Sequence, residues 1–339
     1  MRFVRSTLLA SFVASCSFFL SAHAQSPWGV SKTFSIGGEG GWDYVTVDAP
    51  SHRLFVTRTT HTMIIDANTG KTLGDIPGQK RAHGVAIVPA LNRGFISDGD
   101  GNGAIVVFNL KTYAVLGTLT AVPDTDGIIY DAGSNLILAS AGDSSALLAF
   151  RPDIDPVHGK VGAPIDLGGK PEFLAADGHG KAFINLEDKD LVAVVDLNAR
   201  KVLQKWPVAP GGHPVGLSID AKSHHLFIGA RNPQKLVVIN IETGKVETAL
   251  PIGAGVDATA FSGGEAFASC GDGALVVAEE KAGKFALGQT VKTPAGARTL
   301  GLDALNHRIY LPTAELEPVT SGRPKPKPGT FKIVVVERH

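Results

Sequence analysis

Between His213 and Gly253 the apolar residues fall in four short runs separated by polar turn residues. The run at 215–219 is followed by a turn at 220–224, and LFI at 226–228 by a loop at 230–234. LVVIN at 236–240 leads into the Glu242-Thr243-Gly244-Lys245 turn, and a run at 246–252 ends at Gly253. Runs this short, rich in Val, Ile and Leu and punctuated by Gly, Asn and Pro, predict strands joined by hairpins. The segment reads as a four-stranded meander.

The same pattern recurs along the chain. The first strand of each copy ends at Asp48, Pro89, Asp131, Asp177, Asp220, Ser262 and Asp303, at spacings of 41, 42, 46, 43, 42 and 41 residues. Each marker is followed by a second strand: LFVT (54–57), GFIS (94–97), LILAS (136–140), AFIN (182–185), LFIG (226–229), AFAS (266–269) and IYLP (309–312). Third strands repeat as well, among them MIIDANTGK, LVVINIETGK and KIVVVER. Seven copies at a nearly constant period predict an all-β fold, a seven-bladed β-propeller of four-stranded antiparallel blades, rather than separate domains. The seventh copy stops after its third strand (331–338), while VSKTFSIGGEG at 30–40 matches the fourth strand of the fifth copy, KVETALPIGAG. The N-terminal strand is therefore expected to complete the last blade and close the ring, which removes exposed strand edges. No helix-length apolar periodicity follows the first two dozen residues.

Those first residues belong to a different pattern. Arg2 and Arg5 precede the apolar run 6–20, and Ala22-His23-Ala24 has the small-x-small form of a signal-peptidase site. Residues 1–24 read as a cleaved signal peptide and 25–339 as the propeller, giving a periplasmic or secreted protein with no transmembrane segment after cleavage. Val13-Ala14-Ser15-Cys16 also resembles a lipoprotein box, a minority alternative that would anchor the chain at Cys16. Cleavage after Ala24 leaves Cys270 alone, so no internal disulfide can form. It also takes two of the 32 basic residues and none of the 32 acidic, leaving a net charge of −2. With 7% aromatic residues, that balance argues against nucleic acid, whose sites need basic grooves and stacking platforms.

The strand–turn patterns LFVT…MIIDANTGK and LFIG…LVVINIETGK resemble the YVTN-type repeat of seven-bladed, YncE-like exported propellers. The likeness covers residues 30–339. It implies the fold and leaves the function open, because such propellers include binding proteins, enzyme subunits and lactone hydrolases. Single-stranded DNA binding, as in YncE-like relatives, is a third implication, which the charge and aromatic content oppose.

Candidate chemistry lies where first strands enter a central channel. Five positions before the markers stand Asp43, Gly84, Asp126, Glu172, Val215, Asp257 and Arg298, with His83 and His213 one or two positions earlier in their copies and Trp42 beside Asp43. Carboxylates and imidazoles suit a divalent cation, for which Asp43, Asp126, Glu172 and Asp257 are the candidate ligands. Clustered carboxylates also raise one another's pKa, which would poise one as a base while Arg298 stabilises negative charge. The plainer reading is a solvated lining in which Asp257 pairs with Arg298. Trp42 suits stacking on a ligand or packing between blades. His52, His224 and His307 recur at the repeat period after Asp markers and are expected to brace hairpins, bonding the preceding Asp. Cys270 reads as a small buried residue. Two insertions stand out, at 151–164 and 313–330, the second expected to be an exposed, polyproline-like segment that solvent or a partner covers. No CxxCH, CxxC, GxSxG or GxxxxGK[ST] occurs, and the Gly-rich stretch 37–41 reads as a turn. The favoured reading is an exported binding or scaffold protein presenting a small-molecule or protein-partner site at an acidic channel mouth, without catalysis. The alternative is a metal-assisted, lactonase-type hydrolase using those carboxylates.

Overall fold

The computed structural model describes residues 27–318 and 324–339; the segment read as a leader, with Cys16, lies outside them. Strands account for the regular structure, apart from two three-residue 3-10 turns, Ala49–Ser51 and Pro89–Leu91. Five four-stranded antiparallel sheets and one seven-stranded sheet form among the described residues. Within each, apolar side chains at successive positions are buried on both faces, because neighbouring sheets cover both.

The seven-stranded sheet departs from the sequence expectation. Thr72–Val88 runs unbroken for 17 residues where an outer and an inner strand were expected separately. Its first half pairs with Thr59–Asp66 and its second with Arg93–Asp98. Asp98 replaces the turn: its carboxylate accepts the backbone N–H of Lys80 and of Arg81, each at 2.8 Å, and holds the crossover extended.

Trp28–Ser35 pairs with Lys332–Arg338 and supplies the fourth strand of the last sheet, beside Arg308–Thr313 and Gly301–Asp303. That sheet packs on the first through Val45, Leu54, Tyr310 and Ile333, all buried. The Gly-rich stretch between them is a turn, but one organised by a residue the sequence did not single out. Arg58, 1% exposed, donates to the carbonyls of Gly41 (3.0 Å), Gly37 (3.3 Å), Glu39 (2.7 Å) and Gly40 (3.2 Å). Its guanidinium lies 3.8 Å from the centre of the Phe331 ring. Gly37, Gly38 and Gly40 have φ of 77°, 81° and 88°, which lets successive carbonyls turn toward one cation.

The marker turns are built differently from the expectation. Asp131, Asp220 and Asp303 accept backbone N–H groups two and three residues ahead, so their carboxylates are already engaged. The histidines serve through their backbone instead. His52, His224 and His307 are left-handed (φ 51°, 62° and 52°), as are Asn92 and Asn135 at the equivalent turns.

The described ends of the 313–330 insertion are paired with each other and do not form the polyproline-like segment expected there. Glu317 N–H donates to Lys325 O and Lys327 N–H to Glu315 O, both at 2.8 Å, and Leu316 bridges Pro326. Polyproline helices carry no such bonds; the ends of the insertion form a hairpin stem. The 151–164 loop is tied down by Arg93, which donates to Pro152 O (3.2 Å) and Ile154 O (2.7 Å). Cys270 is fully buried, and burial pushes its thiol up to about 12.

Candidate functional site: the channel mouth

Where five of the inner strands enter their sheets, each carries one residue more than its neighbour. Thr125 and Ile128 face Ala141 and Ala139, so Asp126 and Gly127 oppose Ser140 alone. The same excess falls at His83-Gly84, Glu172-Phe173, Val215 and Asp257. A bulge of this kind bends the strand and re-aims a side chain. It turns residues spaced about 42 apart in sequence into one polar ring.

The backbone at three of the bulges, and at Arg298, is pinned by side chains near the ends of second strands of the preceding copy. Thr57 donates its hydroxyl to His83 O at 2.6 Å, Ser97 to Asp126 O, and Ser269 to Arg298 O at 2.5 Å. Asn185 reaches Val215 O (2.9 Å) and Gly216 O (3.0 Å). All four polar side chains have no exposed surface. The polar residue ending LFVT, GFIS, AFIN and AFAS thus fixes the backbone of the next channel residue.

One polar pocket of about 170 Å³ is lined by Asp43, Tyr44, His83, Asp126, Glu172, Arg231, Asp257 and Arg298, with Lys170 and Arg81 at its edge. Three of the predicted residues meet closely. His83 Nδ1 donates to Asp43 Oδ2 at 2.6 Å and lies 3.3 Å from Asp126 Oδ1. Ligand atoms of Asp43, His83 and Asp126 all fall within 4.8 Å of one another, a geometry able to hold a cation. Burial pulls the His83 pKa down, but the Asp43 hydrogen bond and the two carboxylate charges outweigh it and raise it. Burial, against the pull of His83, raises Asp126 to about 7.

Glu172 and Asp257 turn to other partners. Burial and the charges of Asp126, Glu187 and Asp257 raise Glu172 to about 9, and its protonated carboxyl hydrogen-bonds Glu187. Glu187 is held the other way: burial pushes it up, but Lys170 at 2.7 Å, the bond to Glu172 and His213 together bring it below its usual range. His213 is half-exposed, 3.2 Å from Glu187 Oε2. Asp257 lies between two guanidiniums, Arg231 Nη2 and Arg298 Nε, the latter at 3.0 Å. The Asp257–Arg298 pair matches the plainer expectation. The four carboxylates read as a ligand set do not gather at one point.

Trp42 takes up the packing role considered for it. Its ring packs on Phe331, centroids 5.7 Å apart, and it also lines a second, larger cavity of about 490 Å³. That cavity shares Arg231, Asp257 and Arg298 with the polar pocket, and Leu316, Pro324 and Pro326 of the hairpin stem wall it.

Sequence reading missed Tyr44, Lys170, Glu187 and Arg231. Two of these left a signal. Glu187 and Arg231 stand two residues beyond AFIN and LFIG, where other copies carry Thr59, Gly99, Gly142 and Gly271. Tyr44 is buried against Phe173, ring centroids 4.5 Å apart, and burial with the surrounding carboxylates raises its pKa well above the ordinary value.

Solved structures share this architecture. The WD40 β-propeller domain of Doa1 superposes with a TM-score of 0.70 at 12% identity, covering 92% of this chain and 97% of that one. The fold is a β-propeller. Kuenenia stuttgartiensis hydrazine synthase superposes with a TM-score of 0.68 at 11% identity, over 87% of this chain and 96% of that chain. Identities this low carry the fold alone. No family model and no curated protein sequence matches the chain. Among the described residues no helix is long and apolar enough to cross a membrane.

Proposed function

We propose that this is an exported, seven-bladed propeller of the YVTN-repeat type that binds a ligand or partner at its channel mouth and performs no catalysis of its own. The blade count rests on dividing Thr72–Val88 at its crossover, one half outermost in the first blade and one half innermost in the second. Seven apolar clusters among the described residues, each spanning two successive blades, support that division.

The observation that carries the binding reading is the row of bulges. Five successive inner strands place an extra residue at the same end, and most of those residues line one pocket. A fold that needed only packing would have no use for the four polar side chains re-aimed there, His83, Asp126, Glu172 and Asp257. The test is a thermal-shift and calorimetric screen of purified protein against inorganic ions, organic acids, amines and sugars, repeated on Asp43→Asn and Glu172→Gln. A ligand that stabilises the wild type and loses affinity in either variant supports the reading. If no class binds, or every hit is indifferent to both substitutions, the mouth is not the site.

The second reading, a metal-assisted hydrolase, is favoured by one cluster. Asp43, His83 and Asp126 supply two carboxylates and an imidazole, a set suited to zinc or manganese. A cation there would polarise an ester carbonyl or activate water. Metal content measured by mass spectrometry on protein purified without chelator, and again on Asp126→Asn, decides between the two. A stoichiometric metal lost in the variant promotes the hydrolase. Export is tested separately, by the N-terminal mass of the mature protein, which the reading places after Ala24.

A further inference from the structure

We propose that the larger cavity beside the channel binds small organic carboxylates with an apolar or aromatic body, the carboxylate held by Arg298 and Arg231. The inference rests on the mouth-binding reading and gives that site a ligand class.

Among the described residues the charged groups lining this cavity are Arg231, Arg298 and Asp257, two cations to one anion. Asp257 occupies only part of either guanidinium. Arg298 gives it Nε at 3.0 Å; Arg231 gives it Nη2 and spends Nε on Val256 O at 2.9 Å. Both Nη groups of Arg298 and Nη1 of Arg231 have no hydrogen-bond partner among the described residues. Two guanidiniums fixed by a shared carboxylate form a rigid donor fork, the geometry that a carboxylate engages in bidentate fashion. Preorganisation matters here, because side-chain ordering is complete before the ligand arrives.

The rest of the wall is of the opposite character. Trp42, Leu316, Pro324 and Pro326 line this cavity and not the acidic pocket. Trp42 Nε1 is buried and bonds nothing among the described residues. Glu315 and Lys327 of the hairpin stem satisfy each other at 3.2 Å and add no net charge. A volume of about 490 Å³ lies within the usual range for small-molecule sites. An inorganic anion would leave the apolar wall uncovered, and a neutral hydrocarbon would leave the cationic fork unmatched.

The test is isothermal titration with 3-phenylpropanoate, 4-phenylbutanoate and 5-phenylpentanoate, each beside its primary amide, at low and moderate salt. At least one carboxylate should bind tenfold or more tighter than its amide. Arg298→Gln should bring the carboxylate to the level of the amide, with the amide unchanged. Leu316→Asp, in the hairpin and away from the ion network, should weaken the carboxylate more than the amide, so the test does not hang on one variant folding. Equal binding of acid and amide, or indifference to both substitutions, overturns the inference; so does an absence of binding by every acid up to 10 mM. The mouth-binding reading stands or falls apart from it, on the broad screen and on Asp43→Asn and Glu172→Gln.

Discussion

Replacing Glu172 with glutamine should make the protein more stable, and increasingly so as the pH rises. Glu172 sits among Asp126, Glu187 and Asp257, and burial with those charges raises its pKa to about 9 from an ordinary 4.5. The folded state therefore holds a proton on this carboxyl across the neutral range, where the unfolded chain releases it. A folded pKa above the unfolded one contributes stability that is fully present below pH 4.5 and is lost as pH climbs toward 9. At pH 7 the gap from 4.5 is about 2.5 units, and at 1.36 kcal/mol per unit the group costs ~3 kcal/mol. Glutamine keeps the shape and an N–H donor toward Glu187 but has no proton to lose.

The assay is thermal unfolding of wild type and Glu172→Gln from pH 4 to pH 9. At roughly 2 °C per kcal/mol for a chain of this size, the variant should melt about 5 °C higher at pH 7. The gap should close near pH 4 and widen above pH 8. A variant equally or less stable at pH 8, or an offset that does not change with pH, refutes the reasoning. Glu187→Gln is the control of opposite sign. Lys170, Glu172 and His213 hold Glu187 below its usual range despite burial, so its contribution is present at neutral pH and lost on acidification.

Four further substitutions test how the ring is held. Thr57→Val removes the hydroxyl on His83 O (2.6 Å) and should cost about 1–2 kcal/mol in denaturant unfolding while shifting the His83 imidazole titration by NMR; an unmoved titration would show that the hydroxyl does not position the channel. Arg58→Ala strips four carbonyls of their donor and should cost about 3 kcal/mol, with amide exchange accelerating first in Trp28–Ser35; uniform acceleration across all sheets would count against a closure role. Gly103→Ala combines a φ of 72° with a Cβ that would lie 1.9 Å from Val122 O, so about 3 kcal/mol or more should be lost. Gly263→Ala, with φ 61° but nothing within 4 Å, should cost only about 1–2 kcal/mol.

The arrangement of strands was legible because the hydrophobic period repeats. Markers such as Asp131 and Asp220 stand at the ends of Thr125–Asp131 and Pro214–Asp220. The Trp28–Ser35 closure could be read because the seventh copy stops after its third strand and 30–40 matches the fourth strand of the fifth. What the pattern could not show is pairing within a sheet. The crossover in Thr72–Val88 depends on where two N–H groups meet Asp98, a contact invisible to periodicity. The same limit hid the hairpin stem at 315–327, whose prolines suggest an extended arm until Glu315 and Lys327 are seen to bond. At the channel, counting back from the markers found Asp126 and Glu172 because every bulge falls at the same distance, and Asp43 because the period holds where no bulge forms. It could not find which neighbours they choose, since Glu187 follows Lys181–Leu186 and Arg231 ends His225–Arg231, both second strands, and Lys170 lies just outside the strand that carries Glu172.

The contrast between the two ends of the blades bears on function. At the marker turns the copies use Asp and a left-handed His or Asn again and again, so the fold itself demands those residues. At the five bulges the copies carry Gly, Asp, Glu, Val and Asp five positions before the marker, although the backbone there repeats. Four residue types at one structural position mean that the fold does not select among them. Several are costly choices: Glu172 and Asp126 lose stability at neutral pH that glutamine or glycine would keep, and His83 Nε2 is buried without a partner. Stability forgone at one end of a repeating structure, and nowhere required by the repeat, is what the proposed binding site at the mouth would leave behind.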